Sequence, residues 1–459
     1  MNLKPLISKA EKKGADFSDI RIQNSETETI SLKNSEFNSI QKDIKFQYGV
    51  RIFYKGAWGF SYGNKKKDIE SAFEHAFKLA KVNSKMLKEK LKIKNFKAYK
   101  DKIPAEKGSF VETDISERIK LLLELSKKVD KKYVVNKQFV TNFFKRNQNY
   151  ANSFGADITQ ETEHFNLSFH VVGKKNSKTR DFYNRKGMCA SYKEFKKIDF
   201  DEFINSNLKK LKNLFIAKKA PAGKYPLVID NTLSQVFFHE AVGHACEADL
   251  VLEDTSVLKK KVGKKIAPDF IKLTDNPLIK KLHGYFQYDD EGTKSTETVL
   301  IENGILKNYL NSIETASEMN TNPNGNARAQ EATNLPYPRM SNTVLYPGEF
   351  KFKELFEGIK KGVYAKGSSG GIVEPSNGNF LFSTKEAYLI ENGKITKPLL
   401  DVSFGGNILN TLKHIEKVGN DFETKYRGGF CGKKGQLVPV SGKSPHIKIS
   451  EAMVGGENG

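Results

Sequence analysis

Cysteine is almost missing from this 459-residue chain: Cys189, Cys246 and Cys431 are the whole supply, odd in number and far apart. That excludes a disulfide framework and points to a reducing compartment, where a special cysteine acts as a ligand or a nucleophile. Long apolar runs are also lacking. The longest, such as YPLVI and FNLSFHVV, are strand-sized, and none approaches the ~18 apolar residues that suggest a membrane span. The opening MNLKPLISKAEKKGAD has no apolar core followed by a small-residue cleavage site, so a cytoplasmic protein without a signal peptide is expected. Nor is there an RNA-binding aromatic signature, a zinc finger or helix-turn-helix spacing. The net charge of +22 is concentrated in residues 1–220, which carry 47 Lys+Arg against 26 Asp+Glu, while residues 221–459 carry 29 against 28. A basic half attracts nucleic acid or acidic partners, but these lysines sit on helix faces and in connectors, so a solvated face is expected and nucleic-acid binding is not.

The length allows two or three domains, each with its own core. In the first half LKPLISKAEKKGA has helical spacing, and residues 19–64 read as successive short alternating strands with polar turns. Residues 67–84 form an amphipathic helix with Ile69, Phe73 and Phe77 on one face, ISERIKLLLELSKKVDKK a second, and DFDEFINSNLKKLKNLFIAKK a third. Strands interleaved with segregated helices predict an α+β domain over 1–220 with largely antiparallel sheets. APAGKYP marks the expected boundary, and 26 of the 35 glycines lie beyond it, as a turn-rich fold requires. Residues 221–459 read as a β-rich domain carrying one long helix. TVLIENGILKNYL and EAYLIENGKITKP each place Asn-Gly between apolar strands, a hairpin signal.

The helix runs through LSQVFFHEAVGHACEADLV, residues 233–251, with Asn231 and Thr232 able to cap it. His239 and His244 bracket Glu240 as in the zinc-protease pattern H-E-x-x-H, but with one residue too many. At about 3.6 residues per turn, side chains five apart point ~140° away from each other and cannot share an ion on a straight helix. A π-bulge brings the fifth residue back to the same face, and such bulges favour functional sites. Gly243, tolerant of unusual backbone angles, predicts the distortion near Val242 and Gly243. Two histidines leave a zinc site incomplete. Glu247, one turn after His244, is one candidate ligand; Cys246 should face elsewhere; Cys431, in FCGKKGQ, is the distant one, expected in a turn that exposes its sulfur. Histidine pairs five apart also arise by chance, and a free cysteine is most often a small buried apolar residue.

HEAVGHACEAD, YDDEGT, VLIENGILKNYL, NARAQEATNLPYPRMSNT, SSGGIVEPSNGNFLFSTKEAYLIENGKITKP, VGNDFE and FCGKKGQLVPV occur in one order across the second half, and YGVRIFYKGAWGFSYGN in the first. Together they resemble the TldD branch of the TldD/PmbA metalloprotease family, the modulators of DNA gyrase. The resemblance implies zinc (Zn2+) held by His239, His244 and Cys431, with Glu240 as the catalytic glutamate. It also implies a cytoplasmic protease of unfolded polypeptides, working as a dimer, commonly with a PmbA (TldE) paralogue that lacks the metal motif. Glu240 would take a proton from a zinc-activated water and pass it to the leaving amine. Glu247 then reads either as an acceptor orienting a ligand imidazole or as a solvated carboxylate. The glycines of 368–379 and 403–407 either admit a substrate backbone or make tight turns. Arg339 either binds a peptide carboxylate or braces a loop. The rival reading is a non-catalytic peptide-binding or gyrase-modulating subunit, which would be expected to lack Glu240.

Overall fold

Seventeen consecutive residues, Phe17–Lys33, form a single strand, β1, and nineteen more, Glu36–Tyr54, form β2. These belong to a computed structural model that describes residues 3–88, 90–422 and 428–456. The strands are therefore long, not the short series expected from the polar stretch QNSETETIS. The polar residues do not end β1 because each of its faces has a suitable covering. Ile20 and Ile22 pack with the first helices, and Ile30 and Leu32 with the later ones. The alternate residues Asp19, Arg21 and Gln23 are equally buried, but on the opposite side, against the C-terminal domain. There Arg51 of β2 binds Asp19 and, at 2.7 Å, Glu291, and Gln47 donates to Glu331 at 2.7 Å.

The remaining strands of this sheet are β3 (Ala57–Gly63), β4 (Lys100–Ile103), β5 (Val134–Asn152), β6 (Asp157–Lys175) and β7 (Lys178–Cys189). The order is β3-β2-β1-β5-β6-β4, with β7 also paired to β6, and every neighbour is antiparallel except β4, which runs parallel to β6. Helices α1 (Lys4–Lys12) and α2 (Ile69–Asn83) cover the β1–β3 end. Helices α3 (Ile115–Lys128), α4 (Tyr192–Phe195) and α5 (Phe200–Ile216) cover β5 and β6. Asp114 and Asp199 cap α3 and α5 by accepting from Ser116 and Glu202 N–H, which satisfies otherwise orphaned donors at each helix start. Beneath them Phe143 sits among Phe110, Phe165, Tyr192 and Phe195.

The C-terminal domain is built on a barrel. Gly223–Ile229, Ile447–Gly455, Ser403–Asn407, Asn379–Glu391 and Lys361–Glu374 pair in that order, and the last pairs back to the first. A second sheet runs Ile305–Leu306, Thr298–Glu302, Leu273–Asp275, Asn342–Leu345, Gln436–Lys443 and Gly429–Lys433. Both Asn-Gly hairpins form: Asn303 and Gly304 have φ of 52° and 70°, Asn392 and Gly393 of 49° and 73°, the left-handed pair that a two-residue turn needs. The result is the expected two-domain α+β architecture. The motif helix lies in the C-terminal core, where Leu233, Phe237 and Phe238 are fully buried and Phe237 meets Phe380 and Phe382 edge-on.

Candidate metal centre

The helix that carries the two histidines changes its winding at the point where they sit. It is α-helical over Asn231–Phe238, π-helical over His239–Gly243 and 3-10 over His244–Cys246; Glu247 is extended, and an α-helix restarts at Ala248–Leu252. The His244 N–H donates to the His239 carbonyl, a five-residue step. The bulge predicted from the spacing is present, but two details of the expectation are corrected. Asp230, and neither Asn231 nor Thr232, is the N-cap: its carboxylate accepts from Leu233 N–H and from Gly367 N–H, both at 2.9 Å. Gly243 has ordinary helical angles, φ −57° and ψ −54°, which any residue adopts. A side chain is excluded there because a Cβ would lie 2.1 Å from Sδ of Met340.

The bulge turns both imidazoles towards one point. The ligand atoms of His239, His244 and Cys431 all lie within 4.8 Å of one another. Nε2 of His244 is 3.5 Å from Cys431 Sγ, and the two rings stand 5.4 Å apart and nearly perpendicular. Each histidine is oriented from behind through Nδ1, His239 by Thr343 Oγ1 at 3.3 Å and His244 by Glu247 Oε2 at 3.0 Å. Nε2 of His239 is buried and has no hydrogen-bond partner. Glu240, about a third exposed, reaches within 3.5 Å of His244 Nε2.

Cys431 is not in an exposed turn. It sits in the strand Gly429–Lys433 and is buried, and Arg339, itself fully buried, donates to its carbonyl. Arg339 thus braces the strand that presents the sulfur and is not available to a peptide carboxylate. Burial opposes ionisation of the Cys431 thiol, but His244 and His239 outweigh it and hold its pKa well below the usual thiol value. Burial likewise opposes the charge on His244, and Glu247 with Cys431 raises its pKa nonetheless. Glu247 is fully buried, yet His244 and Lys433 overcome that burial and bring it down to about 2. Cys246 is buried in the apolar core away from this cluster, its pKa pushed up by burial.

Two imidazole nitrogens and a thiolate sulfur, one nitrogen buried without a partner, make a donor set that fits zinc or a similarly borderline cation. Glu247 lies behind His244, where it orients the ring, and not among the converging atoms. The sequence gives no signal for Thr343, and none for the bracing role of Arg339. Lys433 has one: on a strand, the residue two after Cys431 shares its face.

A cleft of about 800 Å³ opens onto His239 and Glu240. One wall is residues 179–185 of β7, from the N-terminal domain, and the other is residues 366–371. Of the two glycine-rich stretches, SSGGIVEPSNGN therefore borders the cleft through its first residues. SFGGN is barrel strand, with Gly405 close to the Phe380 carbonyl. The YDDEGT stretch is not at the centre. Asp289 closes its own loop by accepting from Glu291 and Thr293 N–H, and Glu291 holds Arg51 and the Ile313 N–H.

A histidine pair with an adjacent glutamate on a bulged helix and a thiol sulfur from a neighbouring strand, reached from a cleft through His239 and Glu240, is a centre of the metallopeptidase kind. The chain belongs to the PmbA/TldD metallopeptidase family: the PmbA/TldA metallopeptidase C-terminal domain matches residues 222–456, and domain 1 matches residues 18–80. It is 37% identical over 433 residues to a Methanocaldococcus jannaschii protein named metalloprotease, covering 93% of this chain and 94% of that one. It is 31% identical to a Saccharolobus solfataricus protein named zinc metalloprotease TldD homolog, covering 98% and 99%. The fold is that of TldE from Thermococcus kodakarensis, at TM-score 0.76 and 19% identity, covering 99% of this chain and 100% of that one. Among the described residues no helix is long and apolar enough to cross a membrane.

Proposed function

We propose that the protein is a zinc-dependent endopeptidase of unfolded or extended polypeptides, with His239, His244 and Cys431 as the metal ligands and Glu240 as general base. The observation that carries this reading is the convergence of the three donor atoms beside Glu240, with His239 and Glu240 lining the cleft. Bound there, zinc supplies Lewis acidity, which makes water a usable nucleophile near neutral pH and polarises a carbonyl. Glu240 accepts the proton of the attacking water and delivers it to the leaving amine nitrogen. Thr343 and Glu247 hold the imidazoles so that each presents Nε2.

The cleft favours an extended backbone. Among the described residues β7 has a strand partner only on its β6 side from Lys178 to Met188, so the edge along residues 179–185 is open to an added strand, with the Thr179 carbonyl and the Arg185 N–H bonded only to the side chains of Arg180 and Asn184. A chain added there gains affinity from the main chain with little side-chain preference. Opposite, Gly370 faces open space, with nothing within 4 Å of where its Cβ would be, and so leaves room for the substrate, whereas Gly371 is required by packing, since a Cβ there would meet Phe382 at 2.2 Å. The same reading includes a cytoplasmic setting and a dimer, formed with a like subunit or with a PmbA/TldE-like paralogue. The test is metal analysis of the purified protein together with cleavage of an unstructured peptide, with and without chelator. Stoichiometric zinc and chelator-sensitive cleavage are expected; a protein that binds zinc but cuts no peptide, alone or with the paralogue, returns the peptide-holding alternative.

A further inference from the structure

We infer that Lys433 is a positioning residue for the metal centre, acting through Glu247 on His244. Its ammonium lies 3.0 Å from Glu247 Oε2, 2.7 Å from Asp249 Oδ1 and 3.0 Å from the Pro338 carbonyl, and its side chain is 7% exposed. The Glu247 oxygen it touches is the one that accepts from His244 Nδ1. Three segments distant in sequence meet at one buried cation: the strand with Cys431, the helix restart after the bulge, and the short strand Tyr337–Pro338.

The strand repeat makes the arrangement economical. Cys431 and Lys433 are two residues apart and share a face, so docking the sulfur towards His244 also docks the ammonium against Glu247. Glu247 could not be reached from a continuous helix. Its extended backbone, φ −69° and ψ 119°, interrupts the winding, and the chain on either side is tied to Leu310 by Leu310 N–H to the Cys246 carbonyl and Ala248 N–H to the Leu310 carbonyl, at 2.8 and 2.9 Å. A buried carboxylate needs partners to stay in place. Glu247 Oε1 has none, and Oε2 is held between His244 and Lys433. Removing Lys433 leaves Glu247 free to turn away, and His244 then loses the contact that aims Nε2 at Cys431. Partners behind ligating histidines typically change metal affinity by about 10–100-fold.

This inference rests on the metal reading above, and zinc affinity measured by chelator competition separates the two. Lys433→Met, which keeps the apolar stem, is expected to weaken zinc binding about 10–100-fold, and Lys433→Arg less. In a Glu247→Gln background Lys433→Met should add less than about threefold, because the route through Glu247 is already cut. The cobalt(II)-substituted Lys433→Met protein should show a shifted visible spectrum, which a loss of general stability would not produce. Should Lys433→Met not fold, Lys433→Gln enters the same cycle. Equal affinities for wild type and variant, or effects of Lys433→Met and Glu247→Gln that multiply, overturn the inference. A wild type that takes up no zinc overturns the metal reading, and this inference with it.

Discussion

Two buried polar clusters, one spanning the domain interface and one within the C-terminal domain, are built in opposite ways. In the first, Arg51 is clamped between Asp19 and Glu291. Asp19 also accepts from Tyr150, and Glu291 from the Ile313 N–H. Each charge is met by its opposite, so the cluster is closed. In the second, the ligand atoms of His239, His244 and Cys431 converge within 4.8 Å of one another, and Nε2 of His239 has no hydrogen-bond partner. Such an arrangement is costly as pure structure, because a buried polar atom without a partner loses its hydration for nothing. The closed cluster holds two domains together; the open one is shaped to receive a cation.

That contrast can be broken from either side. The largest expected effect is on activity alone: Glu240→Gln should lower kcat for an unstructured peptide by about 10²–10⁴-fold while zinc stays bound and the unfolding midpoint hardly moves. His239→Ala should lose both metal and cleavage. An active Glu240→Gln protein would overturn the assignment of the base. Next in size is the closed cluster. Arg51→Met strands two buried carboxylates and should cost about 3–5 kcal/mol of stability, read by denaturant unfolding, with zinc affinity of the folded protein little changed.

Smaller effects sharpen the comparison. Gly243→Ala drives a Cβ into Met340 and should cost about 1–3 kcal/mol as overpacking does, and it should weaken zinc binding too, because the bulge carries His244. Pairing it with Met340→Ala should recover part of both. The acid limb is subtler. Glu247 in the metal-free protein has its pKa lowered from 4.5 to about 2. Its pairing therefore stabilises the fold above the unfolded value and is lost as pH falls from about 4.5 towards 2. Glu247→Gln should flatten the acid-unfolding curve in that window. An unchanged curve would mean that the carboxylate is not held as described.

The bulge is legible in the sequence because a five-residue step between two histidines does not fit a straight helix, a constraint of geometry that needs no tertiary context. Its packing is not legible: Met340 is almost a hundred residues from Gly243, and only the fold brings them together. The same holds for the cap. Asp230 and Asn231 are equally good capping residues by type, yet Asp230 serves the helix and Gly367 at once, and the second duty depends on a strand far along the chain. The lengths of β1 and β2 are hidden because the polar run QNSETETIS is met on both faces, Gln23 being buried on the side of the C-terminal domain and Glu28 paired with Arg118 of α3 on the other. Ordinary solvent exposure would give the same pattern. Lys433 shares the face of Cys431 by the strand repeat but is one among 76 basic residues, and its burial against Glu247 and Asp249 is what the fold adds.

The π-turn at His239–Gly243 also governs the residues C-terminal to it. Each residue added to a helix rotates later side chains by about 100°, so the extra residue sets the segment after it out of phase with the segment before it. The leading part can thus point Leu233 and Phe237 into the barrel core. The trailing part can end at Glu247 facing Lys433, although a helix in continuous register would serve only one of these environments. Deleting one residue from the bulge would restore the familiar histidine spacing and, by the same rotation, carry His244 and Glu247 together away from Lys433.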